Sequence, residues 1–224
     1  QVLTNRFLGL LILMGLLYGM YYVTFELGAY PSDWMAAGFE WLHGLAAAHL
    51  EDGMLKSLIT SGIIDGVGGV LGFVPLIMIM FLLIAILEDS GYMARVAYMM
   101  DRVFRFFGLH GASIMPFGAK LPVFLLFVGV FFEKHQALVM FLITLAGWAA
   151  ALLVSRLLRS TVIRGAATPF FMDLPPYRLP TLAGVLIHTW ERAWQYIKKA
   201  GTIILAISIL IWAGMSFPAL PEEA

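Results

Sequence analysis

The chain has 224 residues, 61% of them hydrophobic and 12% charged, with a mean hydropathy of +0.90. That composition describes a membrane protein and excludes an ordinary water-soluble globule. Fourteen basic residues balance fourteen acidic ones and cysteine is absent, so no basic excess points to nucleic acid, and no disulfide, zinc-thiolate site or thiol nucleophile is available among these residues.

The opening "QVLTNRFLGL" has no initiator Met and lacks the ordered regions of a signal peptide, so it reads as the start of a fragment. Residues 7–29 form the first run near the roughly 20 apolar residues that a helix needs to cross the hydrocarbon. Beyond it, Trp34, Met35, Phe39, Leu42, Leu45 and Ala46 recur at helical spacing between Glu40, His43, His49 and Glu51. The pattern predicts an amphipathic helix lying along the membrane surface. Glu40 and His43 form a Glu-x-x-His step, the spacing that di-iron bundles use twice with further glutamates beside it. Here it occurs once, and both a metal contact and a solvated polar face fit it.

The second span, residues 67–87, lies within "IIDGVGGVLGFVPLIMIMFLLIAILEDSGYMAR". Gly68 and Gly72 predict a face open to close helix approach, and Pro75 loosens the helix by removing a backbone donor. Two readings follow: a packing face with a kink, or freed carbonyls beside Pro75 lining an ion path, with Asp65 a further path or gate candidate and Met78 and Met80 adding thioether sulfur. The span stops at Glu88 and Asp89. Carboxylates at a helix C-terminus oppose its dipole, so either the helix continues, stacking Glu88, Tyr92 and Arg95 on one face, or a cation is near. The acids are then salt-bridged anchors or an ion-handling mouth.

Met93, Val96, Ala97, Met100, Phe104 and Phe107 predict a second surface-lying helix, with Asp101 and Arg105 spaced as an i,i+4 pair. The apolar run 121–132, preceded by Lys120, is too short to cross and reads as half a helix or one whose beginning is missing. Glu133 and His135 follow in a short outer loop, as a contact for an ion on its way in or out or as solvated polar groups. Spans at 137–158 and 200–217 complete the set, separated by the proline-punctuated "GAATPFFMDLPPYRLP" and a helix over 182–199 bearing Trp190, Trp194 and Tyr196, interfacial anchors by type.

With the short run counted as a span, the loops sort by charge. Arg6, Arg95, Arg102, Arg105, Lys120, Arg156, Arg159, Arg164, Arg178, Arg192, Lys198 and Lys199 fall on one side, and Lys56 and Lys134 on the other. The rule that basic loops stay inside puts the N-terminus in the cytoplasm and the C-terminus outside. The fold expected is an all-α membrane protein of about five spans with interfacial helices, one span short or broken near Gly118. Its parts are 1–64, a first span and external helix; 65–117, a kinked span and cytoplasmic interfacial helix; 118–160, two membrane segments; and 161–224, a cytoplasmic loop and final span. Phosphate-loop, zincin and serine-hydrolase motifs are absent, so no nucleotide site or catalytic residue is expected.

The segments "DGVGGVLGFVP", "LEDSGYMARVAYMMDR", "GAKLPVF" and "LPPYRLPTL…HTWERAWQYIKKAGTII" together resemble the membrane domain of the bacterial ferrous iron transport protein B family, FeoB. The resemblance implies an inner-membrane importer in which Fe(II) is the transported substrate, the lipid bilayer is the surroundings, and no nucleic acid takes part. It implies further parts outside this chain: a GTP-binding domain, a second gate-like half, a small cytoplasmic FeoA-type partner and a homo-oligomer. In that family a cysteine-bearing gate segment stands where Phe117 here runs straight into Gly118, so residues are expected to be missing at that junction. The competing expectations are a non-transporting membrane scaffold, and a nucleoside or organic-solute carrier on a related gate fold.

Overall fold

The computed structural model describes residues 8–106, 121–161 and 180–216. Among them every regular element is a helix: α1 Leu8–His49, α2 Met54–Ser57, the π-helix π1 Leu58–Asp65, α3 Gly66–Leu71, α4 Val74–Asp89, α5 Tyr92–Phe106, α6 Leu121–Phe131, α7 Gln136–Thr161 and α8 Leu182–Ser216. Helices are the expected answer for apolar chain in lipid, because each backbone donor finds its acceptor within its own segment. Among the described residues four stretches are long and apolar enough to cross a membrane: Leu8–His49, Met54–Asp89, Gln136–Leu157 and Leu182–Met215. At 11 residues α6 is shorter, about 16 Å against a core of about 30 Å.

Two boundaries expected from the sequence are not there. The first span and the surface helix after it are one helix of 42 residues that passes through Pro31. Likewise, the helix expected over 182–199 and the span after it form the single 35-residue α8. The expected breaks followed changes in polarity, at Ser32–Asp33 and at Lys198–Lys199. Polarity decides what surrounds a helix, whereas continuity depends on backbone hydrogen bonding, which a lone proline interrupts at one rung only.

The second span does break. The Thr60 hydroxyl donates to the Lys56 carbonyl at 2.8 Å, competing for an acceptor of the helical ladder where it widens into π1. Gly72 N–H reaches Gly68 O at 2.8 Å, but Phe73 N–H turns to Val70 O, three residues back, at 3.2 Å. A new helix starts at Val74 with Pro75 in its first turn, where a missing donor costs no hydrogen bond. The loosening expected at Pro75 therefore lies just before it, at Gly72–Phe73.

The chain divides into two compact units, Gln1–Phe25 with Met80–Thr189 and Glu26–Ile79 with Trp190–Ala224. The first buries helical stripes: Leu13, Leu17 and Met20 on α1, Phe81, Ile84 and Ala85 on α4, and Leu121, Leu125 and Val128 on α6. Tyr21, fully buried, bonds Thr144 on α7 at 3.0 Å. The Thr144 hydroxyl gives its own hydrogen to Met140 O at 2.9 Å, so Tyr21 is the donor.

In the second unit, π1 and α3 lie between α1 and α8, and glycines set the spacing. A β-carbon on Gly68 would stand 2.8 Å from Phe39, and one on Gly28 would stand 2.8 Å from Leu76. On the α8 side, Gly62 lies against Trp212 and Gly66 against Ser208, while Trp212 Nε1 donates to Ser57 Oγ at 2.9 Å. The expected Gly68/Gly72 face is thus half present. Gly68 admits α1, but a β-carbon on Gly72 would meet only the carbonyl of Gly68, and the working Gly-x-x-x-Gly pair is Gly62 and Gly66.

Candidate functional site

The contacts of α1 with the second span run in antiparallel order: Gly28 with Leu76, Phe39 with Gly68, and His43 with Asp65. The last is an ionisable pair, His43 Nδ1 to Asp65 Oδ1 at 2.7 Å, with side chains 39% and 51% exposed. Phe39 and His43 are four residues apart on a regular helix and so share a face. With no β-carbon at Gly68, Phe39 sits close to the span, and the same approach carries His43 to the end of π1. The structure joins a residue expected on an ion path, Asp65, to one expected as a metal contact, His43.

An ionised carboxylate can only accept, so the hydrogen in this bond belongs to His43 Nδ1. The ring is held by Asp65 and its other nitrogen, Nε2, is left to act as a base or ligand. Glu40, exposed on α1, stands one turn before His43. Imidazole and carboxylate oxygen together suit divalent transition metals. Among the described residues no group of three or more His, Cys, Asp or Glu side chains converges as a metal cage.

At the far end of α4 the helix does not continue, contrary to one of the two expectations. Gly91 adopts φ 74, a left-handed conformation that ends helices, and its N–H bonds Glu88 O at 3.0 Å. Ser90 Oγ donates to Leu87 O at 2.9 Å, and Arg95 Nη1 donates to Gly91 O at 2.8 Å. Tyr92 and Arg95 therefore belong to a new helix, α5, rather than to a continuation of α4. A positive neighbour for Asp89, the expected alternative, is the start of α8: its Oδ2 lies beside Gly184 in the first turn, 3.8 Å from where a β-carbon would be. A helix N-terminus carries about half a positive charge.

Glu133 is exposed, and His135 takes φ 59 in the four-residue link between α6 and α7. Gln136 Nε2 donates to Phe132 O at 2.7 Å, closing the end of α6. Met78 is half-buried and Met80 fully buried. Lys120, the Phe117–Gly118 junction and the side chains of Asp101 and Arg105 lie outside what is described. The residues that sequence reasoning missed are Gly184 with Thr181, whose signal was the threonine just before an apolar helix, and the Gly62–Gly66 pair, readable as spacing alone.

Residues 140–192 match the family model described as Ferrous iron transport protein B C terminus, and residues 70–122 match the model described as Nucleoside recognition. The chain is 38% identical to the Fe(2+) transport protein A/Fe(2+) transporter FeoB fusion protein of Porphyromonas gingivalis, over 100% of this chain and 31% of that protein. It is 36% identical to the Fe(2+) transporter FeoB of Campylobacter jejuni, over 99% of this chain and 42% of that protein. With the Fe(2+) transporter FeoB of Helicobacter pylori the identity is 32%, over 97% and 40%. The chain thus spans from under a third to about two fifths of the length of these relatives. No solved structure matches it. The P. gingivalis match runs over 259 residues against the 224 present here, so at least 35 positions of that match have no counterpart in this chain.

Proposed function

The chain belongs to the FeoB family, as a stretch of its membrane region, and on that premise we propose that it builds part of the route by which Fe(II) crosses the membrane. The observation that carries the reading is the interrupted second span, widened at π1, broken at Gly72–Phe73 and restarted at Val74. Irregular backbone persists at membrane depth where it is buried in protein or lines a path, and transporters use broken helices in this way. Because α3 ends at Leu71 and a new helix starts at Val74, the Leu71 carbonyl belongs to a helix end, where carbonyls lack intrahelical donors and can face a cation or water. Asp65, Pro75 and Met78 mark the route, and the Glu88, Asp89, Tyr92 and Arg95 turn forms its hinged mouth. Lys120, Glu133 and His135 are the remaining ion contacts of this reading.

Several parts of the mechanism lie outside the chain. The basic residues other than Lys56 and Lys134 face the cytoplasm, α5 passes on the state of a GTP-binding domain elsewhere in the whole protein, and a partner like transport protein A, fused to the P. gingivalis relative, acts from the same side. The 35 or more unmatched positions belong between Phe117 and Gly118, where α6 is too short to cross and where the Nucleoside recognition match passes through. They would supply the rest of the gate.

The test is anaerobic uptake of radiolabelled Fe(II) into proteoliposomes holding the whole protein that carries this chain. Uptake that falls at least about tenfold with Asp65→Asn or Pro75→Ala is expected, a change equivalent to about 1.4 kcal/mol. A protein that moves no Fe(II) overturns the reading. The match of residues 70–122 to the Nucleoside recognition model favours a second reading, a nucleoside carrier. Competition by nucleosides rather than by Fe(II) would select it.

A further inference from the structure

We propose that His43, oriented by Asp65, presents its Nε2 as a ligand to a divalent transition-metal ion, with the Glu40 carboxylate one turn away as the second protein ligand and water completing the shell. The inference deepens the transport reading and rests on it for the choice of Fe(II) as the natural ion. Three observations carry it.

First, the His43–Asp65 bond at 2.7 Å joins two elements 22 residues apart in sequence, so the pairing is made by packing rather than by local chain geometry. Metal-binding histidines almost always donate their second ring N–H to a carboxylate or carbonyl, which settles the tautomer and raises the basicity of the ligating nitrogen. His43 has that arrangement, with Nδ1 committed and Nε2 available. Second, the side chain remains 39% exposed, so the committed ring is still accessible to an ion. Third, Asp65 closes π1 at one end of the span that breaks at Gly72–Phe73, and π-helical segments occur frequently at functional sites. An ion held at His43 would stand beside the start of the interrupted segment, with Asp65 as a positioning residue rather than a direct ligand.

Two protein ligands make a weak, open site, which suits cargo that must leave again better than a resident cofactor. Imidazole nitrogen with carboxylate oxygen accepts Fe(II) and Co(II), while the hard cations Mg(II) and Ca(II) favour all-oxygen shells.

The test is Co(II) titration of the whole protein in detergent under anaerobic conditions, followed by its visible absorption and by proton NMR of paramagnetically shifted resonances. One shifted imidazole N–H, present in H2O and lost in D2O, is expected from His43 Nδ1–H. Asp65→Asn should weaken Co(II) binding by about 10- to 100-fold and move that resonance, as loss of an outer-shell carboxylate does. Glu40→Gln should weaken binding, and His43→Ala should abolish the resonance. Should His43→Ala fail to fold, His43→Gln replaces it, with helicity checked by circular dichroism. Co(II) affinity unchanged in the His43 variant, or absence of the shifted N–H in the parent protein, overturns the proposal. Fe(II) uptake is read separately. Uptake with Co(II) binding indifferent to His43 overturns this inference and leaves the transport reading standing, whereas His43-dependent binding without uptake supports the site and overturns transport.

Discussion

Asp89, the last residue of α4, directs its carboxylate to the first turn of α8, where a β-carbon on Gly184 would stand 3.8 Å from Oδ2. The acid sits at the unfavourable negative end of its own helix and at the favourable positive end of another. Asp89→Asn should therefore destabilise the first unit by about 0.3 to 1 kcal/mol, and Asp89→Lys by more. Thermal melts in detergent would read this, and an Asp89→Lys variant as stable as the parent would remove α8 as the partner. Gly184→Ala should destabilise as well, because its methyl would come within 2.9 Å of Thr181 Oγ1.

Gly66 and Ser208 give a packing prediction with a built-in rescue. A methyl at position 66 has no room beside the Ser208 side chain, whereas one at Gly69 meets nothing within 4 Å. Gly66→Ala should cost about 1 to 3 kcal/mol, the usual range for overpacking, and Gly69→Ala should cost little. Adding Ser208→Gly to Gly66→Ala should recover much of the loss. Failure of that rescue in denaturation experiments would place the close approach elsewhere.

The Tyr21–Thr144 hydrogen bond ties α1 to α7 inside the first unit. A double-mutant cycle with Tyr21→Phe and Thr144→Val should return a coupling of about 0.6 kcal/mol, and below about 1.7, the range seen for hydrogen bonds between membrane helices. Additive effects would mean that the two hydroxyls do not depend on each other.

At the link before α2, the Lys56 ammonium donates to the Asp52 carboxylate at 2.7 Å and holds its pKa below the usual carboxylate value. The folded value is depressed, so whatever the pair contributes is present above the ordinary carboxylate pKa and lost as pH falls through the depressed one. Lys56→Met should raise the Asp52 pKa toward its ordinary value, as read by NMR titration of its carboxyl carbon. An unmoved titration would mean that the ion pair does not form in solution.

How far the sequence reaches differs from element to element. The runs over 137–158 and 121–132 correspond to α7 and the short α6 nearly as read, and the Gly72–Pro75 signal marks a true break. The Glu88–Asp89 puzzle was visible as two acids where the dipole disfavours them. For Asp89 the answer was hidden because the helix N-terminus beside it lies more than ninety residues away in sequence. Asp65 and His43 each stood out by residue type, one as an acid beside an apolar span and the other in a Glu-x-x-His step. Neither pattern indicated that they meet.

The physical reason lies in the range of the forces. In an apolar phase each backbone donor must find an acceptor a few residues back along its own helix, so composition and run length alone determined that this is an all-helical membrane protein, and a proline beside glycines determined where a span fails. Whether α1 and α8 continue past their polar stretches depended on unbroken backbone hydrogen bonding that polarity does not report. Which charged groups meet depended on the rotation of each helix about its axis and on the approach permitted by Gly28, Gly62, Gly66 and Gly68. Those are properties of packing between distant segments, and only the tertiary structure decided that Asp65 holds His43 and that Asp89 faces α8.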